Sequence, residues 1–243
     1  MTYCLAVKTH HGIVFASDSR TNAGLDNVNT YSKMHAFIVP GERAFMLLTA
    51  GNLGTTQAVV HRLRRDMEDP DAPRSLRTVQ YLFDAAEYVG AVSCQVQAHH
   101  CETIKHEQVK FEANFILGGQ IKGRGHDVVL VYPEGNYITA SPANPFLQIG
   151  ETKYGKPILD RIVSLDSTLE AAARCALVSI DSTMRSNVSV GPPIELAVYA
   201  RDSFEIGQRM TLEADSGYYL SLREGWSTGI VKAFEELPKL DIK

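Results

Sequence analysis

Thr2 is the residue in this sequence most able to act as a nucleophile, because removal of Met1 would leave a threonine with a free α-amine. Such an amine has a reference pKa of about 7.7–8.0, so a useful fraction is unprotonated near neutral pH and can accept a hydroxyl proton. The hydroxyl oxygen could then attack a carbonyl carbon. One residue would supply both the nucleophile and its base.

Asp18 is predicted to lie next to this threonine. Residues 3–8 and 13–17 are apolar, β-prone runs, and the Thr-His-His-Gly sequence between them is typical of a tight hairpin turn. Pairing the two runs outward from the turn places Asp18 opposite Tyr3, within one register step of Thr2. A carboxylate is thereby brought back to the start of the chain.

Lys33 is the one lysine in the predicted apolar and aromatic strand 31–39. A buried ammonium group is costly unless it is paired, and Asp18 is the obvious carboxylate partner. Structural alternatives stay open. Asp18 and Arg20 could form an ordinary ion pair at a strand end, Lys33 could protect an edge strand from aggregation, and Gly51 could simply begin a helix. Cys4 competes as a nucleophile only if cleavage exposes it.

The segment FASDSRTNAG at residues 15–24 resembles the one that follows the first hairpin in proteasome β subunits and in the bacterial protease HslV. A lysine follows 15 residues after Asp18, and the Ala-Gly-Asn-Leu sequence at 50–53 ends a predicted strand and opens a predicted helix. The MTYC start, without any recognisable propeptide, and IGETKYGKPILDR at 149–161 are most similar to one bacterial branch, the Anbu or ancestral β-subunit proteins. Several motifs therefore occur in the family's order along nearly the whole chain.

This resemblance implies a proteasome-like threonine peptidase that hydrolyses peptide or amide bonds through an acyl-enzyme on Thr2. Lys33 would favour loss of the threonine proton through its positive charge, and Asp18 would orient Lys33. The backbone N–H of Gly51 would help to bind the oxyanion, a contribution of about 3–4 kcal/mol where one strong donor is used.

The third part of the family's site departs from the pattern. Family members carry a serine after the glycine that matches Gly150, whereas this chain has Glu151 there. The family's Asp-x-x-Ser-Gly-Gly loop is matched loosely by residues 186–191, in which Ser189 is the better match and Ser186 stands for the aspartate. The missing serine would weaken proton relay, so slow turnover is expected.

The same resemblance implies a first specificity pocket with no fixed charge among its side chains. We therefore expect uncharged, small-to-medium side chains at the cleaved position. Two of these residues are expected to alternate with the lysine on one face of the predicted strand. The pocket residues are Thr21, Tyr31, His35, Thr49 and Leu53.

Composition predicts one globular domain over residues 1–243, with 44% hydrophobic and 21% charged residues. The predicted order of hairpins, helices and further strands indicates an α+β protein of mixed layers, and the resemblance implies the four-layer αββα sandwich of N-terminal nucleophile hydrolases. The first four helices are expected at 53–67, 75–98, 153–162 and 167–185. A last helix at 216–237, with Trp226, is expected to turn its apolar side to the core.

The net charge and the sequence motifs limit which ligands and which cellular location are expected for this protein. A net charge of −4 and a pI near 6.1 argue against nucleic-acid binding, and no apolar run is long enough to cross a membrane. We expect a cytoplasmic location, because nothing at the start resembles a signal peptide and four scattered cysteines suit a reducing compartment. No cofactor or metal is expected, since the cluster at His99, His100, Cys101 and His106 lacks a second spaced pair of ligands.

The resemblance also implies self-association into a ring or an open spiral, and it leaves any ATPase partner unknown. Two other functions stay open. The same machinery could hydrolyse a small amide or an isopeptide bond, or the protein could be a proteasome-fold scaffold that has lost efficient hydrolysis. Retention of Met1 would block the amine and exclude the threonine mechanism.

Overall fold

The computed structural model describes residues 2–22, 28–104 and 109–241. In chain order the strands are β1 (Tyr3–Thr9), β2 (Gly12–Asp18), β3 (Arg20–Asn22), β4 (Val28–Thr30), β5 (Met34–Val39), β6 (Arg43–Gly51), β7 (Ala113–Ile121), β8 (Asp127–Val131), β9 (Tyr137–Thr139), β10 (Phe146–Gly150), β11 (Ile194–Ala200) and β12 (Gln208–Leu212). The helices are α1 (Leu53–Glu68), α2 (Leu82–Thr103), α3 (Lys156–Ile162), α4 (Leu169–Ser186) and α5 (Gly217–Glu235).

Two antiparallel sheets of five strands form the centre of the described structure. The first sheet has the order β10-β1-β2-β11-β12, and the second has the order β5-β6-β7-β8-β9. The predicted first hairpin is confirmed, since Cys4 pairs with Ser17 and Thr9 pairs with Gly12. This register brings the end of β2 back to the start of β1.

The alternation of side chains along β1 shows how the layers are built. Tyr3, Leu5 and Val7 pack outward against α3 and α4, whereas Cys4 and Ala6 pack inward between the two sheets. The outer face of the second sheet is covered by α1 and α2. Because β1 lies between two layers and is buried on both faces, its residues 3–7 form a continuous apolar run. The four-layer αββα arrangement is thus confirmed.

The helix predicted at 75–98 begins seven residues later, at Leu82. The hydroxyl of Thr78 accepts the N–H of Ser75 at 3.0 Å, and the Arg43 guanidinium binds the carbonyl of Val79 at 2.7 Å. These bonds satisfy backbone groups in a turn conformation and compete with helical hydrogen bonds. The other three helices predicted up to residue 185 begin and end within three residues of the predicted bounds.

The prediction that the last helix turns its apolar side to the core holds only near the start of α5, where Tyr219 and Leu222 pack against the cluster between the first sheet and α4. Tyr219 is the one fully buried residue of α5, and Trp226 is only half-buried. Ile230, Val231 and Phe234 are exposed. An apolar stripe predicts that a helix covers something, but it does not distinguish the core of the same chain from another molecule.

The strand predicted at 31–39 also begins later, at Met34. The N–H of Tyr31 donates to the carbonyl of Ser19 at 2.9 Å, so this part of the segment is bonded to the end of β2. The predicted alternation of Tyr31 and Lys33 with His35 on one strand is therefore wrong, since only His35 lies within the strand. None of the helices in the described ranges is long and apolar enough to span a bilayer.

Candidate active site

Thr2 lies directly before β1 and is half-buried. Its carbonyl oxygen accepts the N–H of Glu151 at 2.7 Å. Gly150 has a φ of +85°, and a Cβ atom there would collide with the carbonyl of Thr2, so a glycine is required. The end of β10 therefore fixes the backbone of the candidate nucleophile. Met1, whose removal the sequence predicts, lies outside the described residues.

Asp18 is fully buried and binds the peptide N–H that follows Thr2. Its Oδ1 atom accepts the N–H of Tyr3 at 3.0 Å, and its Oδ2 atom accepts the N–H of Gly191 at 3.3 Å. The predicted position of Asp18 beside the start of the chain is confirmed. One carboxylate thus joins the first strand to the loop after α4.

The same Oδ1 atom of Asp18 accepts a hydrogen bond from Lys33 Nζ at 2.7 Å, so the predicted ion pair is confirmed. Lys33 Nζ also donates to the carbonyl of Arg20 at 2.6 Å, and the lysine is 6% exposed. The Arg20 guanidinium instead donates to the carbonyl of Val188 at 2.7 Å. An Asp18–Arg20 pair and an exposed edge-strand lysine are therefore both excluded.

The charge state of Asp18 depends on its neighbours. Burial raises the pKa of the Asp18 carboxyl, while the Lys33 ammonium and the two backbone N–H groups oppose that rise. Removing one partner of such a buried pair typically destabilises a protein by about 3–5 kcal/mol. Asp18 and Lys33 therefore depend on each other for stability. Among the contacts described above, Lys33 supplies the positive charge nearest to the start of β1.

Gly51 ends β6 immediately before α1. It has a φ of +115°, and a Cβ atom there would collide with the carbonyl of Glu112, so both conformation and space require glycine. Asn52 caps the helix by accepting the N–H of Thr55 at 3.1 Å through its side chain. Gly51 therefore sits at the positive end of a helix, where a developing negative charge is favoured.

Ser189 is half-buried in the turn that follows α4, and its N–H donates to Asn187 Oδ1 at 3.0 Å. The contact that the structure shows between this loop and the ion pair runs through Gly191, whose N–H binds Asp18 and whose carbonyl accepts the N–H of Arg20 at 3.3 Å. Sequence reasoning missed Gly191, although it ends the loosely matched family loop.

Glu151, at the position where the sequence resemblance implies a serine, is 8% exposed, and both of its carboxylate oxygens accept hydrogen bonds. Its Oε2 atom accepts Asn187 Nδ2 at 3.1 Å, and its Oε1 atom accepts the N–H of Lys153 at 3.4 Å. This residue thus ties the loop after β10 to the loop after α4. Cys4 is fully buried, and burial raises the pKa of its thiol, so it is not a competing nucleophile in the folded protein.

The predicted pocket residues come from several elements. Thr21 lies on β3, Tyr31 precedes β5, and Leu53 begins α1. Thr49 on β6 is joined to the ion pair, since its N–H donates to the carbonyl of Lys33 at 3.0 Å. Of the predicted pocket residues, His35 lies within β5.

His35 has positively charged surroundings that the sequence did not indicate. Its pKa is lowered to about 4, first by burial and then by Arg64, Arg209 and His61. Arg64 lines a cleft between β5 and α1, and Arg209 Nη2 donates to the carbonyl of Met34 at 3.2 Å. The imidazole is therefore neutral at pH 7.

The polar cluster at the end of α2 is occupied by local contacts. His100 Nδ1 lies 3.3 Å from Thr55 Oγ1, and its ring packs at 5.5 Å against Phe111. Within the described ranges no group of three or more side chains is arranged to hold a metal ion. His106, the fourth member of the sequence cluster, lies outside these ranges.

A family model described as "Proteasome subunit" matches residues 2–199. Among solved structures, Anbu (ancestral beta-subunit) from Yersinia bercovieri is 43% identical with a TM-score of 0.92, over 99% of both chains. The helical assembly of the Anbu complex from Pseudomonas aeruginosa is 43% identical with a TM-score of 0.92, over 98% of both chains. An Anbu (Gly-1) mutant from Hyphomicrobium sp. strain MC1 is 42% identical with a TM-score of 0.92, over 100% of both chains. No curated protein matches the chain.

The chain therefore belongs to the proteasome subunit family, whose fold is of the N-terminal nucleophile hydrolase type. Within this family, its full-length similarity at 42–43% identity is to Anbu proteins. The resemblance seen in the sequence motifs is thus confirmed.

Proposed function

We propose that this protein is a threonine peptidase that hydrolyses peptide bonds from its N-terminal Thr2. The observation that carries this proposal is the buried Lys33–Asp18 ion pair, which is built around the peptide N–H that follows Thr2. Apolar side chains of similar volume often stabilise a fold as well as a buried ion pair does, or better. A lysine fixed at this point is therefore best explained by chemistry.

In the proposed mechanism, the Thr2 hydroxyl attacks the carbonyl carbon of the substrate while the Thr2 α-amine accepts the hydroxyl proton. The positive charge of Lys33 stabilises the negative charge that develops on the threonine oxygen, and Asp18 holds Lys33 in place. The N–H of Gly51 supports the oxyanion. The protonated amine then gives its proton to the leaving amine, and water releases the acyl group from the ester.

Slow hydrolysis is supported by the loop after β10. A serine at position 151 could pass a proton near the nucleophile, but the carboxylate of Glu151 is held by Asn187 and Lys153. This observation favours the alternative of a weakly active or inactive scaffold. An amidase for small amide or isopeptide bonds stays open as well, because it would use the same machinery. The one domain spanning 1–243 and the cytoplasmic location stay predictions.

The test of this proposal is incubation of the protein with a mixed peptide library and identification of the products by mass spectrometry. We expect Thr2-dependent cleavage after uncharged or acidic residues, with Lys and Arg depleted at least about threefold, because the positive charge of Arg64 acts on His35. Thr2→Ala should abolish cleavage. Enrichment of Lys or Arg would overturn the pocket assignment, and cleavage that survives in Thr2→Ala would overturn the mechanism.

We further propose self-association through the exposed apolar side of α5. An Anbu relative forms a helical assembly, and large exposed apolar side chains on and just after α5 are hazardous for an isolated subunit. These side chains are Leu220, Ile230, Val231, Phe234, Leu237 and Leu240.

Light scattering at micromolar concentration should report a mass several times 26.8 kDa. We expect Phe234→Glu to lower that mass, because it places a charge within the apolar side, whereas Glu235→Lys at the neighbouring position should not. A wild-type monomer, or equal masses for Phe234→Glu and the wild type, would contradict this surface.

A further inference from the structure

A second buried carboxylate, Glu195, lies behind the candidate active site. It is 7% exposed, and on β11 it stands opposite Ser17 of β2, one residue before Asp18. The strand pair β2–β11 thus brings two carboxylates to the same end of the first sheet. Asp18 holds the side chain of Lys33, whereas Glu195 has no part in the mechanism proposed above.

Glu195 is bonded to both residues that flank Lys33 in the chain, directly and through Arg209. Ser32 Oγ donates to Glu195 Oε2 at 2.7 Å and accepts the N–H of Met34 at 3.3 Å. Arg209 Nη2 donates to Glu195 Oε1 at 3.0 Å and to the carbonyl of Met34 at 3.2 Å. The side chain of Ser32 and the backbone of Met34, on either side of Lys33, are therefore attached to the first sheet.

These bonds matter because residues 31–33 precede β5, whose paired register with β6 begins at Met34. The backbone of Lys33 itself has one bond to β6, from the N–H of Thr49 to its carbonyl at 3.0 Å. A lysine side chain is long and flexible, so a change in its backbone position moves Nζ. Catalytic groups must be held within about 0.5 Å of their productive positions, and a misplacement of about 1 Å can cost a hundredfold in rate.

We propose that Glu195 and Arg209 are positioning residues that set the place of Lys33 Nζ beside Thr2. This inference rests on the proposed function of Lys33. Both oxygens of the Glu195 carboxylate are bonded, and both bonds lead to residues that fix the lysine backbone. A side chain needed only to fill this space would be replaced at lower cost by an apolar one.

The test measures the rate at which a peptide epoxyketone labels Thr2. Glu195→Gln keeps the shape of the side chain but removes its charge, and Ser32→Ala removes the hydroxyl that joins Glu195 to Met34. We expect each to lower the labelling rate at least about tenfold. Ser32→Thr restores a hydroxyl at an exposed position and should return the rate to within about threefold of the wild type.

The matched control is Asp66→Asn, which removes another largely buried carboxylate that is bonded to Arg62, Arg65 and Tyr88. Asp66 lies near the end of α1 that is remote from Gly51, so its labelling rate should stay within about twofold of the wild type. An equal loss in Asp66→Asn would show a general effect of stability and would overturn the positioning role.

Amide hydrogen exchange provides a readout that does not need activity. The N–H groups of Met34 and Thr49 should exchange at least about tenfold faster in Glu195→Gln and Ser32→Ala, and unchanged in Asp66→Asn. Unchanged exchange in a folded Glu195→Gln protein would overturn the proposal, as would slower labelling without faster exchange. If the wild type is not labelled, the proposed function fails, and exchange alone decides whether Glu195 holds this segment.

Discussion

Replacement of Lys33 by alanine is expected to remove nearly all acylation of Thr2 while the protein stays folded. The ammonium group is the cation held at Asp18 beside the peptide N–H after Thr2, so its loss removes the charge that stabilises the threonine oxygen. The measurement is the rate of labelling by an epoxyketone, followed by intact mass. Retention of more than about a tenth of the wild-type rate, a loss below about 1.4 kcal/mol, would reject the assigned role.

A second variant separates chemistry from folding. Lys33→Ala leaves the Asp18 carboxyl buried without its ammonium partner, and because burial raises the pKa of that carboxyl, it should take up a proton more readily. The double variant Lys33→Met with Asp18→Asn removes both charges together and should fold more stably than Lys33→Ala. It should nevertheless be as slow in acylation, because the activating charge is absent.

The chain offers a control for this prediction on the same strand. Lys8 forms an ion pair with Asp127 at 2.8 Å near the opposite end of β1, and its side chain is 25% exposed. Lys8→Ala also removes a lysine–aspartate pair, but it does so far along the strand from Thr2. Its acylation rate should stay within about twofold of the wild type. A large loss in Lys8→Ala would indicate that β1 is merely sensitive to any lost ion pair.

Much of this site could be predicted from the sequence, because its geometry follows from a local hairpin and from the need to pair a buried charge. Pairing the strands of the first hairpin outward from its turn places Asp18 at the start of β1, and the cost of burying Lys33 without a partner selects that carboxylate. The four-layer arrangement came from family resemblance, since periodicity alone indicates only mixed helices and strands.

The contacts that the sequence did not indicate are long-range. Gly191 reaches Asp18 across 173 positions, and Glu195 reaches Ser32 across 163 positions. No local pattern around these residues differs from that of an ordinary loop or strand. The exposure of Phe234 was missed for another reason, because the hydrophobic pattern of a helix is the same whether it meets its own core or a second subunit. Such features follow from tertiary structure alone.

The second large effect concerns the start of the chain. We expect the protein from its native host to have a mass lower than the translated chain by one methionine residue, because the small side chain of Thr2 permits removal of Met1. An epoxyketone, which needs both a hydroxyl and a free amine on one residue, should then add to Thr2. Thr2→Ala should give no adduct, because it retains the amine but lacks the nucleophilic oxygen.

Two further variants make the labelling result specific to Thr2. Thr2→Ser keeps the hydroxyl and the amine, so it should still be labelled. Labelling should be slower than in the wild type, because loss of the methyl group gives the side chain more rotational freedom. Cys4→Ala should be labelled like the wild type, because the Cys4 thiol is fully buried and its sulfur lies 3.6 Å from the carbonyl of Thr49. An adduct that depends on Cys4 would contradict the threonine mechanism.

The mass of the native chain also decides between the enzyme and the scaffold. An acylated α-nitrogen cannot accept a proton from the hydroxyl, so a chain that retains Met1 lacks the general base even with Lys33 and Asp18 in place. Retained Met1 together with no adduct would therefore leave a proteasome-fold scaffold as the function. Loss of Met1 with a Thr2 adduct that disappears both in Lys33→Ala and in the folded double variant Lys33→Met with Asp18→Asn would show that the buried ion pair acts on the reactivity of the threonine oxygen.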